Sequence, residues 1–282
     1  MPSLFSGLRP SGRIGLALLA SLAVSQTAWA TDEDDPWPDL REALFEERAI
    51  AEEDGVITLE APYRAYDAAI VPITMQAGIA QTEDRYIKTL TLVIDENPAP
   101  VAAVFHLSPK AGDATISTRV RVDAYTNVRA IAELNDGSLH MATKFVKASG
   151  GCSAPALKDQ EKSMARLGKM KLKQAGEAVP GAPRRAQLLI SHPNYSGLQM
   201  DQLTRHYIPA HFVQDIKVTY GGETIMTVEG AISLSEDPSI HFNYMPIDGA
   251  DGDQGGEMSV WVRDSDDMTF TNSWPVEGTA GS

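Results

Sequence analysis

The stretch "HFVQDIKVTYGGETIMTVEGA", residues 211–231, sets the texture of the chain. Phe212, Gln214, Ile216, Val218 and Tyr220 stand two residues apart, so an extended backbone places them on one face. Gly221 and Gly222 follow at once, and adjacent glycines tolerate the positive φ angles of a two-residue hairpin turn. A second β-rich run, containing Ile225, Met226 and Val228, then returns along the first. The segment is a β-hairpin.

The same texture extends in both directions. "EMSVWVRDSDDMTFTNSW" (257–274) predicts another hairpin, with "SIHFNYMPI" (239–247) and "AQLLIS" (186–191) as further strands. Together they predict a small sandwich over residues 185–276. Upstream, "GVITLE", "AAIVPITMQ", "RYIKTLTLVID", "VAAVFHLS", "ATISTRVRVDAYTNVRAIAEL" and "SLHMATKFVKA" are β-rich runs divided by turn signals. Within residues 86–94, Leu90, Leu92 and Ile94 alternate with Thr89, Thr91 and Val93, the pattern of a sandwich strand with both faces partly covered. About seven strands over residues 56–148 is the count of an immunoglobulin-like sandwich. The fold class is therefore all-β, two immunoglobulin-like sandwiches in tandem.

Between them, residues 149–184 show no strand pattern and are strongly basic, with Lys158, Lys162, Arg166, Lys169, Lys171, Lys173 and Arg184. This is a linker, with a short helix in its middle and open chain at "AGEAVPGAP". Ahead of the first sandwich, residues 31–55 read as an acidic, proline-containing tail and one helix. Asp39 is its expected cap, Leu40 and Leu44 its apolar face with Phe45 as a candidate third member, and Gly55 its stop. Residues 277–282 are expected to be a disordered tail.

Residues 1–30 have the build of a secretory leader. Arg9 and Arg13 precede an apolar run at 14–24, and Ala28-Trp29-Ala30 forms a cleavage site. No run approaches the ~20 apolar residues of a membrane span. The expected location is the periplasm, with no membrane anchor. The formal charge of −14 falls to about −16 once the two leader arginines are removed. Phosphate binding needs a basic footprint, so nucleic acid is excluded as a partner.

An exported chain usually pairs its cysteines, yet Cys152 in "ASGGCSAP" (148–155) is the only one. Most free cysteines are small buried hydrophobes. Here the small flanking residues and the adjacent Pro155 are poor material for a core strand, and Gly150 and Gly151 clear space around the thiol. The expectation is a presented thiol, with three uses open to it: catalysis, disulfide exchange or carriage of an adduct. Of His106, His140, His192, His206, His211 and His241, none lies beside the arm in sequence as a base, and no second cysteine can resolve a disulfide. Carriage, or a mixed disulfide with a partner, remains.

Other groupings have plainer readings. His192, His206 and His211 match no compact ligand spacing, so they are read as histidines packed along a crossover loop shaped by Pro193 and Pro209, with no metal. "DGADGDQGGE" (248–257) fits no register of a calcium loop and reads as a glycine-rich turn. The acid clusters at 32–35 and 264–267 read as a solvated tail and a turn. No residue pattern points to a cofactor.

Two segments carry a resemblance. "SHPNYSGLQ" (191–199) with "IPAHFVQDIKVTYGGE" (208–223) resembles the signature of SoxZ, and "KASGGCSAP" (147–155) resembles the substrate-bearing tail of SoxY. The chain thus resembles the SoxYZ sulfur-oxidation carriers, and in its fused order is similar to the quinoprotein dehydrogenase-associated SoxYZ-like carriers. The resemblance implies a non-enzymatic carrier holding a sulfur-containing intermediate on Cys152, with Gly150 and Gly151 as hinge. It implies periplasmic oxidoreductases as partners, a PQQ-dependent quinoprotein dehydrogenase being one candidate. The alternative it leaves open is an accessory binding protein of such a dehydrogenase with no cargo on the thiol. The family tail ends in Gly-Gly-Cys-Gly-Gly, whereas Ser153-Ala154-Pro155 follow Cys152 here and the chain continues.

Overall fold

The first element, α1 (Trp37–Phe45), lies along the outside of a nine-stranded sheet. The computed structural model describes residues 35–155, 160–176, 179, 181–246 and 256–276. The leader, residues 31–34 of the acidic tail, most of the 248–257 loop and the 277–282 tail lie outside them. After α1 come β1 (Ile50–Glu52), β2 (Ile57–Glu60), β3 (Val71–Ala77), β4 (Ile87–Ile94), β5 (Val101–Leu107), β6 (Ile116–Val120), β7 (Thr126–Leu134) and β8 (Leu139–Val146). The short helix α2 (Gln160–Met164) precedes β9 (Met170–Ala175), β10 (Arg184–Ile190), β11 (Val213–Tyr220), β12 (Glu223–Gly230), β13 (Ser239–Tyr244), β14 (Glu257–Asp264) and β15 (Thr269–Pro275). No helix among the described residues is long and apolar enough to cross a membrane.

The fold is all-β, as its alternation predicts, and its two sandwiches are fused along both sheets. The large sheet runs β1-β8-β7-β4-β5-β12-β11-β14-β15 and the smaller runs β2-β3-β6-β13-β10-β9. The first half thus contributes five strands to one layer and three to the other, and the second half four and three. At the seam β5 pairs antiparallel with β12, from Leu107↔Met226 to Ala103↔Gly230. Each strand would otherwise be an open sheet edge, and mutual pairing satisfies both. One apolar core crosses the seam, from Leu90 and Phe105 to Val218, Met226 and Phe242.

The opening hairpin is β11–β12, with Gly221 at φ 58° and Gly222 at φ 84°. Ile216, Val218 and Tyr220 face the core, but a register shift between Val213 and Asp215 brings Val213 inward in place of Gln214. The reading of β4 as covered on two faces also holds. Leu90, Leu92 and Ile94 enter the main core, while Val93 packs under Trp37 and Phe45 of α1.

Two expectations are corrected. The N-terminal helix stops at Phe45, not near Gly55. Glu46 takes φ 55°, and Ile50 then packs against the Trp37–Phe45 cluster as β1 pairs parallel to β8. Asp39 lies in the first turn, where a carboxylate favours the helix dipole, while Pro36 occupies the capping position. Second, the basic linker contains a strand. In β9, Met170 is buried and Leu172 half-buried while Lys171 and Lys173 point to solvent, so the alternation was hidden by its charge. Lysines on an outermost strand are a usual means of blocking edge-to-edge pairing.

Candidate functional site

Leaving β8, the chain makes a parallel bridge between Lys147 and Arg64 and then turns inward. Gly150 adopts φ 75°, and its N–H donates to the carbonyl of Asp123 at 2.7 Å. The Gly151 N–H donates to the carbonyl of Val122 at 3.0 Å, and the Cys152 N–H to Asp123 Oδ1 at 3.2 Å. From the second half, the Ser196 hydroxyl donates to the carbonyl of Cys152, and Gln199 Nε2 donates to that of Ala154 at 2.9 Å. The arm is a seam element, held on one side by the β6–β7 connection and on the other by "SHPNYSGLQ".

Cys152 is fully buried, which corrects the expectation of a presented thiol. The small flanking residues permit close packing instead of exposure. A Cβ at Gly151 would stand 2.1 Å from the carbonyl oxygen of Ala68 and 2.6 Å from that of Val122, so this glycine is a contact point between backbones. In this docked arrangement Gly150 and Gly151 are hydrogen-bonded, not free as a hinge would be.

Burial, with the negative charge of Asp123, pushes the Cys152 thiol up to about 12, opposed by Arg121. The group is therefore a thiol at neutral pH, with a thiolate fraction of about 10⁻⁵. Arg121 is itself only 2% exposed, and burial lowers its pKa against the attraction of Cys152 and Glu236. Its Nη1 donates to the carbonyl of Leu234. Arg121, Asp123, Ser196 and Gln199 carry no site signal in the sequence. In sequence they stand 29 to 47 positions from Cys152 as single polar residues in β-rich runs or loops, and no spacing rule joins them.

The same Leu234 carbonyl accepts Asn194 Nδ2 at 3.0 Å, which links Arg121 to a second buried group. His192 and His211 come together with Asp264, their ring and carboxylate atoms within 4.8 Å of one another. His211 Nε2 donates to Asp264 Oδ2 at 2.9 Å, and His192 Nε2 lies 3.5 Å from the same oxygen. Asp264 Oδ1 accepts the N–H groups of Asp266 and Met268 at 3.0 and 2.9 Å. His192 Nδ1 accepts the Asn194 N–H at 3.0 Å, so the ring proton sits on Nε2, facing the carboxylate. A metal at Nε2 would require an imidazolate, so these residues fit a hydrogen-bonded structural network better than a metal centre. Two of the three histidines are packed as expected, but His206 is exposed, and Asp264 is a buried anchor where a plain turn was expected.

This network gives the protein an acid limit. Burial and the neighbouring His211 lower His192 to about 4. Below the unfolded value near 6.5 the unfolded chain takes up a proton that the native imidazole refuses, so stability falls as pH drops from about 6.5 to 4, by about 3 kcal/mol. Burial raises the pKa of Asp264, but its hydrogen bonds from His211 and the amides outweigh that and hold it below the ordinary carboxylate range. Its loss therefore comes at still lower pH. Urea midpoints measured across this range check the expectation, with His192→Asn removing the step between 6.5 and 4.

Residues 41–152 match the family described as sulfur oxidation protein SoxY, and residues 170–275 match the family described as sulphur oxidation protein SoxZ. The chain is a SoxY–SoxZ fusion. The SoxY match ends at Cys152, and the SoxZ match begins with β9, so α2 and its flanks are the joint between the two halves. Among solved structures, the sulfur carrier protein SoxY from Chlorobium limicola f thiosulfatophilum is 25% identical, with 40% of this chain and 91% of that chain covered and a TM-score of 0.34. A superoxide reductase (neelaredoxin) from Ignicoccus hospitalis is 15% identical over 33% of this chain and 81% of that chain, with a TM-score of 0.30. No curated protein matches the chain.

Proposed function

We propose that this SoxY–SoxZ fusion is a non-enzymatic periplasmic carrier in sulfur oxidation, holding a sulfur-containing intermediate covalently on Cys152. The observation that carries the reading is the position of that thiol. It is the sole cysteine, it closes the SoxY match, and it lies where both halves grip the arm. A thiol on such a carrier must not close a disulfide with its own chain, and a single cysteine cannot.

Docking supplies the protected state of this cycle. Joining the thiol to a sulfhydryl sulfur of the cargo forms an S–S bond, releases two protons and removes two electrons. A partner oxidoreductase of the periplasm accepts those electrons, and the carrier contributes only the attachment point. Loading requires the arm to leave its seat, with Gly150 and Gly151 then acting as its hinge. Mass spectrometry of the intact protein from its native periplasm is expected to find an adduct on wild type and none on Cys152→Ser. Unmodified wild type under every sulfur-oxidising growth condition would sink the reading.

The burial of the thiol favours a second reading, in which Cys152 is a packing residue and the protein is an accessory partner of a PQQ-dependent quinoprotein dehydrogenase. In that case Cys152→Ser recovers the dehydrogenase as well as wild type in a pull-down, and its host grows normally. Loss of growth in that mutant decides for carriage.

A further inference from the structure

The outward face of the six-stranded sheet is parted where the two halves meet. Among the described residues β6 and β13 are joined by one pair, His241↔Ser117, and the nearby bridge Val120↔Leu234, whereas β10 and β13 share a ladder from Arg184 to Leu189. The opening is a cavity of about 280 Å³, lined by Thr74, Ser117, Arg119, Gln187, Ser239 and His241 among others. Strand register sets Lys173, Gln187, His241, Ser117 and Thr74 side by side across it.

The hydrogen bonding leaves donors facing this space. Ser117 Oγ accepts from Arg185 Nη2 at 3.2 Å and from Thr74 Oγ1 at 3.0 Å, so its own proton remains to be donated. Ser239 Oγ accepts from Gln187 Nε2 at 2.9 Å and likewise keeps a proton to give. Arg119 Nη2 donates to the carbonyl of Asp237 at 3.0 Å, while its buried Nε–H has no partner among the described residues. Among the described residues, no carboxylate lines the groove. Burial, together with Arg185, Arg119 and Lys173, holds His241 below its ordinary pKa, a sign that three cations converge on one neutral ring. This positive, donor-rich spot lies on a chain of formal charge −14.

We propose that the groove binds a small inorganic oxyanion of sulfate or phosphate shape. Ser117, Arg119, Ser239 and His241 supply the donors, and Lys173 and Arg185 the flanking charge. Its volume falls just below the ~300–1,000 Å³ typical of ligand pockets, which suits a few heavy atoms and not a partner's strand or helix. No residue of the Cys152 arm lines it, so the site is independent of the carrier reading.

Sulfate titrated into the full-length protein and followed by amide chemical shifts should perturb residues 116–119, 187–189 and 239–241 to saturation, with phosphate competing. Arg119→Gln should weaken sulfate about tenfold or more, the loss of a charge-assisted contact. The exposed double variant Lys173→Gln/Arg185→Gln should weaken it about threefold with the fold intact, which covers the case of an unfolded Arg119 variant. Cys152→Ser should bind as wild type, so failure here and failure of carriage are separable. Linear shifts scattered over all surface cations, or equal sulfate affinity in wild type and the double variant, would overturn the proposal. So would saturable binding of an oligoglutamate peptide where sulfate has none, which would make the groove a protein contact.

Discussion

In the native protein Cys152 is expected to react with iodoacetamide at least about a thousandfold more slowly than in the urea-unfolded chain. Reagent must wait for the arm to open. Opening breaks the hydrogen bonds at Gly150, Gly151, Cys152 and Ala154 and exposes a buried side chain. Five such bonds at about 1 kcal/mol net each give an opening cost near 5 kcal/mol before the released arm regains entropy. A net cost of about 4 kcal/mol already leaves the open arm at about one molecule in a thousand. Gly151→Ala tests the cause. The added methyl cannot fit beside the Ala68 and Val122 carbonyls, so the arm must leave its seat, and labelling should accelerate by at least about a hundredfold. Gly150→Ala would meet only Ser153 Oγ, at 3.9 Å, an ordinary contact, and is opposed by its φ of 75°, so about 1–2 kcal/mol of strain should accelerate labelling by about tenfold. Slow labelling of folded Gly151→Ala would show that the docked arm is not what protects the thiol.

The second large effect belongs to Asp264. Alanine there removes the acceptor for His211 and for the amides of Asp266 and Met268, and strips the buried His192 Nε2–H of the carboxylate it faces. Leaving such donors unsatisfied in the interior is expected to cost about 3–5 kcal/mol, measured as a drop in the urea midpoint. Asp264→Asn retains one carbonyl oxygen but turns an amide N–H₂ toward other donors, so it should fall between wild type and alanine. The damage should reach the arm, because Asn194 ties His192 to the Leu234 carbonyl that Arg121 also uses. Faster thiol labelling in Asp264→Ala reports that link. A loss below about 1 kcal/mol would mean that the carboxylate is not the anchor of the crossover loop.

Local sequence carried most of the strands because each is a short run whose alternation is visible within its own few residues. The hairpin at Gly221-Gly222, the doubly covered β4 and the pair of sandwiches all follow from such patterns. β9 escaped because its outward positions are lysines, which made the segment look like a charged linker. The end of the N-terminal helix is not legible because polar residues after Phe45 do not reveal that Glu46 takes a positive φ. The comparison at the site is similar. "SGGCSAP" and "SHPNYSGLQ" both stand out as text, yet nothing in either says that Ser196 and Gln199 reach the arm of the other half.

From the residues in order come the all-β class, the lone thiol and the SoxY and SoxZ signatures. Those properties reside in composition and in patterns shorter than a hairpin. The shared sheets, the buried state of Cys152, the use of Gly151 as a backbone contact and the joining of His192, His211 and Asp264 arise from folding over long separations. Small residues around a thiol leave room for a partner to approach and equally for the protein's own backbone to close in. The carbonyls of Ala68 and Val122, both remote from Gly151 in sequence, decide for closure.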